Sequence, residues 1–104
     1  MTDKYILKGK TPIPISNTIA WGEWFENGSN RRVAEDIVEG VRVSTVFLGL
    51  DHSFGEGPPL LFETMVFGES PLQEECVRYA TWEEAEQGHK AMLEKVIAEL
   101  KEEE

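Results

Sequence analysis

The sequence predicts an α+β fold: a small antiparallel sheet of three to four strands flanked by a short N-terminal helix and a long C-terminal helix. Three observations carry this prediction. Residues 32–67 hold strand-type runs separated by polar turns, residues 19–25 repeat aromatic and aliphatic side chains at helical spacing, and an apolar stripe at i+3 and i+4 spacing follows Thr81. Because the strands are grouped and do not alternate with helices, parallel α/β is disfavoured. At 104 residues the chain is expected to form one domain over 1–104, since two halves would be too small to bury stable cores.

Taken in order, "KYILK" at 4–8 has strand propensity and ends at Gly9. The following "KTPIPIS" alternates proline with isoleucine, so it is expected to be extended and not helical. Ser16 or Asn17 can cap a helix in which Ile19, Ala20, Trp21, Trp24 and Phe25 form a buried stripe. Gly22 weakens that helix by about 1 kcal/mol relative to alanine, and "NGSN" at 27–30 stops it. Two strand-like runs around Glu39-Gly40 then predict a hairpin. "LLFETMVFG" predicts a third strand pairing with residues 41–48, and "CVRYA" a fourth or edge strand. Thr81-Trp82-Glu83-Glu84 is a capping box, and Trp82, Ala85, His89, Leu93, Val96 and Leu100 place one helix face on the sheet, with Met92 and Ile97 at its margins. Residues 101–104 read as a frayed acidic tail.

Charge narrows the partners. Twenty acids against ten lysines and arginines leave −10, and no basic surface suits nucleic-acid phosphates, so direct nucleic-acid binding is not expected. Residues 81–104 alone account for −5. The plain reading of that acidity is a solubilising helix face; the sharper one is a phosphate-mimicking surface for a basic host protein. The single cysteine, Cys76, excludes an internal disulfide or a thiolate metal cluster in one chain and is expected to be a small buried hydrophobe. With no leader-like N-terminus and no run long enough to span a membrane, a cytoplasmic location is expected.

Familiar catalytic signatures are absent, which lowers the expectation of an enzyme, and no cofactor is expected. Asp51-His52 could orient a general base, and two histidines with Asp51 or Glu56 could hold a metal, but neighbouring loop residues point in different directions. His89, on the buried stripe, reads as a core histidine with a hydrogen-bond partner. The loop around Asp51 is the more specific feature. Gly49, Gly55 and Gly57 permit close backbone approach, and Pro58-Pro59 fixes the entry into the next strand. Long connections of this kind often bind ligands. The candidate ligand-binding residues are therefore Arg31, Arg32, Asp51, His52, Phe54, Gly55, Gly57 and Trp21. The arginines would take a phosphate in bidentate fashion and an aromatic ring would stack on a base. Surface ion pairs with Glu35, Asp36 or Glu39 are the default alternative for the arginines.

The stretches "AWGEWFE", "NRRVAED", "VRVSTVFLGLDHSFGEGPPLLFETMVFG" and "RYATWEEAEQGHKAML" resemble a family of small proteins encoded by bacteriophages and prophages, over roughly residues 4–96. The chain departs from that pattern at "GESPLQEEC", where relatives often have a second glycine. The resemblance implies a setting, the host-cell cytoplasm, and no defined activity. Small acidic phage proteins commonly act by stoichiometric binding, so the expected function is anti-defence sequestration of a small polar, nucleotide-like signalling molecule. Two alternatives are an acidic inhibitor of a host defence protein and a small hydrolase using Asp51 and His52. A chain this short offers little depth for a pocket, so a homo-oligomer with a shared site is also expected.

Overall fold

The computed structural model describes residues 3–27, 31–53, 57–73 and 75–102. Its elements are β1 (Tyr5–Lys8), β2 (Thr11–Pro14), α1 (Thr18–Glu26), β3 (Arg32–Val38), β4 (Val41–Phe47), β5 (Phe62–Phe67), β6 (Cys76–Tyr79) and α2 (Trp82–Glu102). The fold is α+β, with the short helix, the long C-terminal helix and antiparallel sheets that the sequence leads one to expect.

The main sheet is an antiparallel meander in the order β3-β4-β5-β6. Its first hairpin turns at Glu39 and Gly40, whose φ values of 48° and 84° define the two-residue turn that suits the right-handed twist of paired strands. Facing pairs Val43–Val66, Thr45–Thr64 and Phe47–Phe62 set one face of β4 and β5 inward. There they meet Ala85, His89, Met92 and Val96, the buried residues of α2. Met92, expected at the margin of the helical stripe, is buried, whereas Leu93 is only half-buried. The contact line of α2 thus lies about one helical position from the one its periodicity predicts.

β1 and β2 form a separate two-stranded hairpin, so the segment expected to be merely extended is a strand. Pro12 and Pro14 lack amide hydrogens, and β2 tolerates them because it pairs on one side only. This hairpin and α1 close one end of the core, where Leu7 and Trp24 pack with Phe47 and Phe62. Trp24 meets Phe47 edge-on at 5.8 Å.

The predicted caps are present. Asn17 accepts the Ala20 N–H at 3.0 Å, and Thr81 Oγ1 accepts the Glu84 N–H at 3.1 Å while its hydroxyl donates to Glu84 Oε1. α1 differs from expectation in its stripe, since Trp21, Trp24 and Phe25 are half-buried and Ile19 is 75% exposed. Lys101 and Glu102 belong to α2, so half of the stretch expected to fray is helical; residues 103–104 lie outside the described residues.

Candidate functional site

The connection from β4 to β5 is shorter in space than in sequence because pairing continues into it. Leu48 N–H donates to the Leu61 carbonyl at 2.7 Å, and His52 N–H to the Leu60 carbonyl at 3.0 Å. Backbone pairing thus extends as far as His52 and Leu60. Asp51 closes the base of the loop: Oδ1 accepts the Ser53 N–H at 2.8 Å and the Leu60 N–H at 3.0 Å. The Asp51 N–H donates to the Asp3 carbonyl at 2.9 Å, tying the loop to the N-terminal segment. The Ser53 amide is the main cause holding the Asp51 carboxyl below its ordinary value, outweighing partial burial.

His52 does not use Asp51. Its Nδ1 lies 2.8 Å from the Leu50 carbonyl, which can only accept, so Nδ1 carries the proton. Nε2 is left without a partner among the described residues. The expected acid–imidazole pair is therefore two separately anchored groups, and adjacency in a turn did not make a dyad.

A second group of predicted residues meets around Gly49. That residue has φ 78°, and a Cβ there would lie 2.8 Å from Phe25 Cε2. Glycine is required both by the backbone and by the ring above it. The Gly49 carbonyl accepts from Trp21 Nε1 at 3.1 Å and from the Tyr5 N–H at 2.8 Å. Trp21 stacks on Phe25 with centroids 5.0 Å apart, and the Arg31 guanidinium stands 3.9 Å over the same Phe25 ring. Arg31 Nε is buried and has no hydrogen-bond partner among the described residues.

The two arginines are thereby separated. Arg32 turns outward to Glu35 at 3.4 Å, and Arg42 Nε lies 3.0 Å from the other Glu35 oxygen, an ion pair by distance whose N–H does not point along the line. For Arg32 the default ion pair holds; Arg31 has no carboxylate opposite it among the described residues. Consecutive side chains of an extended strand point to opposite sides, which suffices to separate Arg31 from Arg32; the pairing then shifts between Arg32 and Ala34, a bulge at Val33. Trp21, Arg31 and Gly49 thus adjoin one another through Phe25, and His52 is anchored apart from them to Leu50 and Leu60. Gly57, exposed at φ 140°, lies on the open part of the loop. Phe54 and Gly55, and Glu56 with them, lie outside the described residues.

Three features were missed in the sequence. Phe25 is the platform beneath Arg31, although its helical spacing marked it only as core. A polar chain, buried except at its Asp36 end, links Thr64 to Thr45, Thr45 to His89 Nδ1 at 2.7 Å, and His89 Nε2 to Asp36 Oδ2 at 2.8 Å. His89 is a core histidine as expected, 3% exposed, and both its nitrogens are engaged. The signal was there in two threonines on the buried parity of neighbouring strands. Cys76 corrects the third expectation: it is exposed on the edge strand β6, with Sγ 3.1 Å from Glu63 Oε2. Partial burial of the sulfur, followed by the Glu63 hydrogen bond, raises its pKa and keeps the thiol protonated.

Among the described residues no group of three or more metal-ligating side chains converges, and no helix is long and apolar enough to cross a membrane. A shallow groove of about 290 Å³ lies between the β3–β4 turn and the end of α2, lined by Val38, Glu39, Ile97, Leu100 and Lys101. Comparison of the chain with protein-family models, with curated proteins and with solved structures gives no match.

Proposed function

We propose that this chain binds a small phosphate-bearing, nucleotide-like molecule and acts by sequestering it, in the phage or prophage setting that its sequence resemblance implies. Arg31 is the observation that carries the reading. Among the described residues of a chain with net charge −10, Arg32, Arg42 and Arg78 each face a carboxylate and Arg31 faces none. An arginine held on an aromatic ring with its remaining donors unspent is suited to a planar, bidentate anion such as phosphate. Trp21 and Phe25 supply flat apolar surface beside it.

The competing readings have weaker support. The exposed side of α2 interleaves Lys90, Lys95 and Lys101 with its glutamates, and Lys95 pairs with Glu75 at 3.4 Å, so it is not the unbroken line of carboxylates that a phosphate mimic needs. Asp51 spends one oxygen on two backbone amides and does not orient His52, which removes the geometric basis for a hydrolase built on that pair.

The test is thermal unfolding in the presence of a panel of linear and cyclic nucleotides. The expected result is a raised midpoint with some member of the panel, abolished in Arg31→Ala and partly kept in Arg31→Lys. No shift across the panel, together with an apo mass under native conditions for protein taken directly from cells, would sink the proposal and direct attention to a protein partner.

A further inference from the structure

The meander has a second face, opposite α2, on which no described helix packs. Ile37, Arg42 and Phe67 lie side by side on it across three strands, and Val46 and Met65 fill the rows beyond. Ile37 is 65% exposed and Phe67 41% exposed, large apolar side chains that a solvated face does not require. α1 cannot cover them, because its Trp24 packs against Phe47 on the inner side.

Charge says what kind of surface this face fits. It bears Arg32, Arg42 and Arg78 against Glu35 and Glu63, a surplus of one positive charge on a chain of −10, so the remainder of the molecule carries −11. Each of these charges is already paired within the face: Glu35 with Arg32 and Arg42, and Glu63 with Arg78 at 3.0 Å. Arg42 also stands 4.9 Å over Phe67. A basic partner would be drawn to the acidic remainder of the surface. An acidic partner would find these arginines engaged. A second copy of this chain, by contrast, is repelled least where the surface carries the least net charge, and this face carries only one surplus charge, with its ion pairs closed within it.

We infer that the outer face of β3-β4-β5-β6 is a contact between two copies of this chain, packed sheet against sheet with their acidic surfaces turned away from each other. Sheets pack about 10 Å apart with interdigitating side chains, and this face offers aliphatic and aromatic groups to do so. Four strands at roughly 4.8 Å spacing and about 20 Å in length present about 400 Å² in plan. That is about half of the roughly 800 Å² per partner of a standard interface, so the contact is a weak one. The dimer therefore dissociates on dilution. This inference is independent of the nucleotide reading, since it involves neither Arg31 nor the 49–60 loop.

The experiment is sedimentation velocity on the full chain from about 1 μM to about 1 mM, the range in which a small interface comes apart. The wild type should pass from monomer to dimer across it. Ile37→Arg and Phe67→Arg should each weaken the dimer by about tenfold or more. Arginine is chosen because it lowers the net negative charge, so weaker association cannot come from added general repulsion. Added NaCl should strengthen the wild-type dimer by screening the acidic surfaces. Circular dichroism checks that the variants fold, and exposed Ile37 decides the matter if Phe67→Arg does not. A wild type that stays monomeric at the highest concentration overturns the inference, as does a dimer that the folded variants leave intact.

Discussion

Asp51 shows how one side chain can define a loop. Its Oδ1 receives two amide hydrogens across the base of residues 53–59, and the same interaction lowers its pKa. Because the folded value lies below the ordinary 3.8, the stability it contributes is present above that pH and is lost as pH falls through the depressed value. Asp51→Asn keeps an acceptor oxygen and loses the charge. It should cost about 1 kcal/mol near neutral pH, and the difference from wild type should shrink as pH falls below the ordinary 3.8, as read by urea unfolding from about pH 6 down through about pH 3. A difference that persists in acid would mean that shape, not ionisation, holds the loop. At this scale the sequence was partly legible. Asp51 and the glycines announced a constrained turn, but nothing local told which carboxylate oxygen would meet which amide, or that Arg31 would lie over the Phe25 ring while Arg32 met Glu35.

Among the elements, α2 is the most informative, because every strand of the meander rests on it. Gly88 stands mid-helix, where alanine would ordinarily add about 1 kcal/mol. Here a Cβ would overlap the Tyr79 phenol ring, which crosses the helix at that point. Gly88→Ala should therefore destabilise by about 1–2 kcal/mol despite its better helix propensity, since overpacking costs more than propensity returns. Chemical denaturation measures this, and Tyr79→Leu in the same background should relieve it; a stabilised Gly88→Ala would show that Tyr79 swings aside freely. The capping box, the Glu39-Gly40 hairpin and the antiparallel meander were all legible, because local chemistry and side-chain period specify them. β2 was not, since a strand with two prolines is allowed only at an edge, and edge status is a property of the assembled sheet. The same holds for Asp36, whose bond to His89 joins residues far apart in sequence.

For the whole molecule the governing quantity is a net charge of −10 on 104 residues. Self-repulsion of that order opposes compactness, and salt screens it over a Debye length of about 10 Å at 0.1 M. Raising NaCl from a few millimolar should increase the thermal midpoint; about 1 kcal/mol of relief corresponds to about 4–8 °C for a domain of this size. A midpoint indifferent to salt would show that the local ion pairs already balance the field. The meander has one more consequence, which concerns time. Each strand of the main sheet pairs with its neighbour in sequence, so each can be zipped onto the last without waiting for a distant segment, and loop closure along β3-β4-β5-β6 is inexpensive. The bond between His89 and Asp36 is different, because it cannot form until α2 exists. A chain emerging from the ribosome would thus build its sheet first and seat its helix last, with Asp36 waiting in water for the histidine that completes the interior.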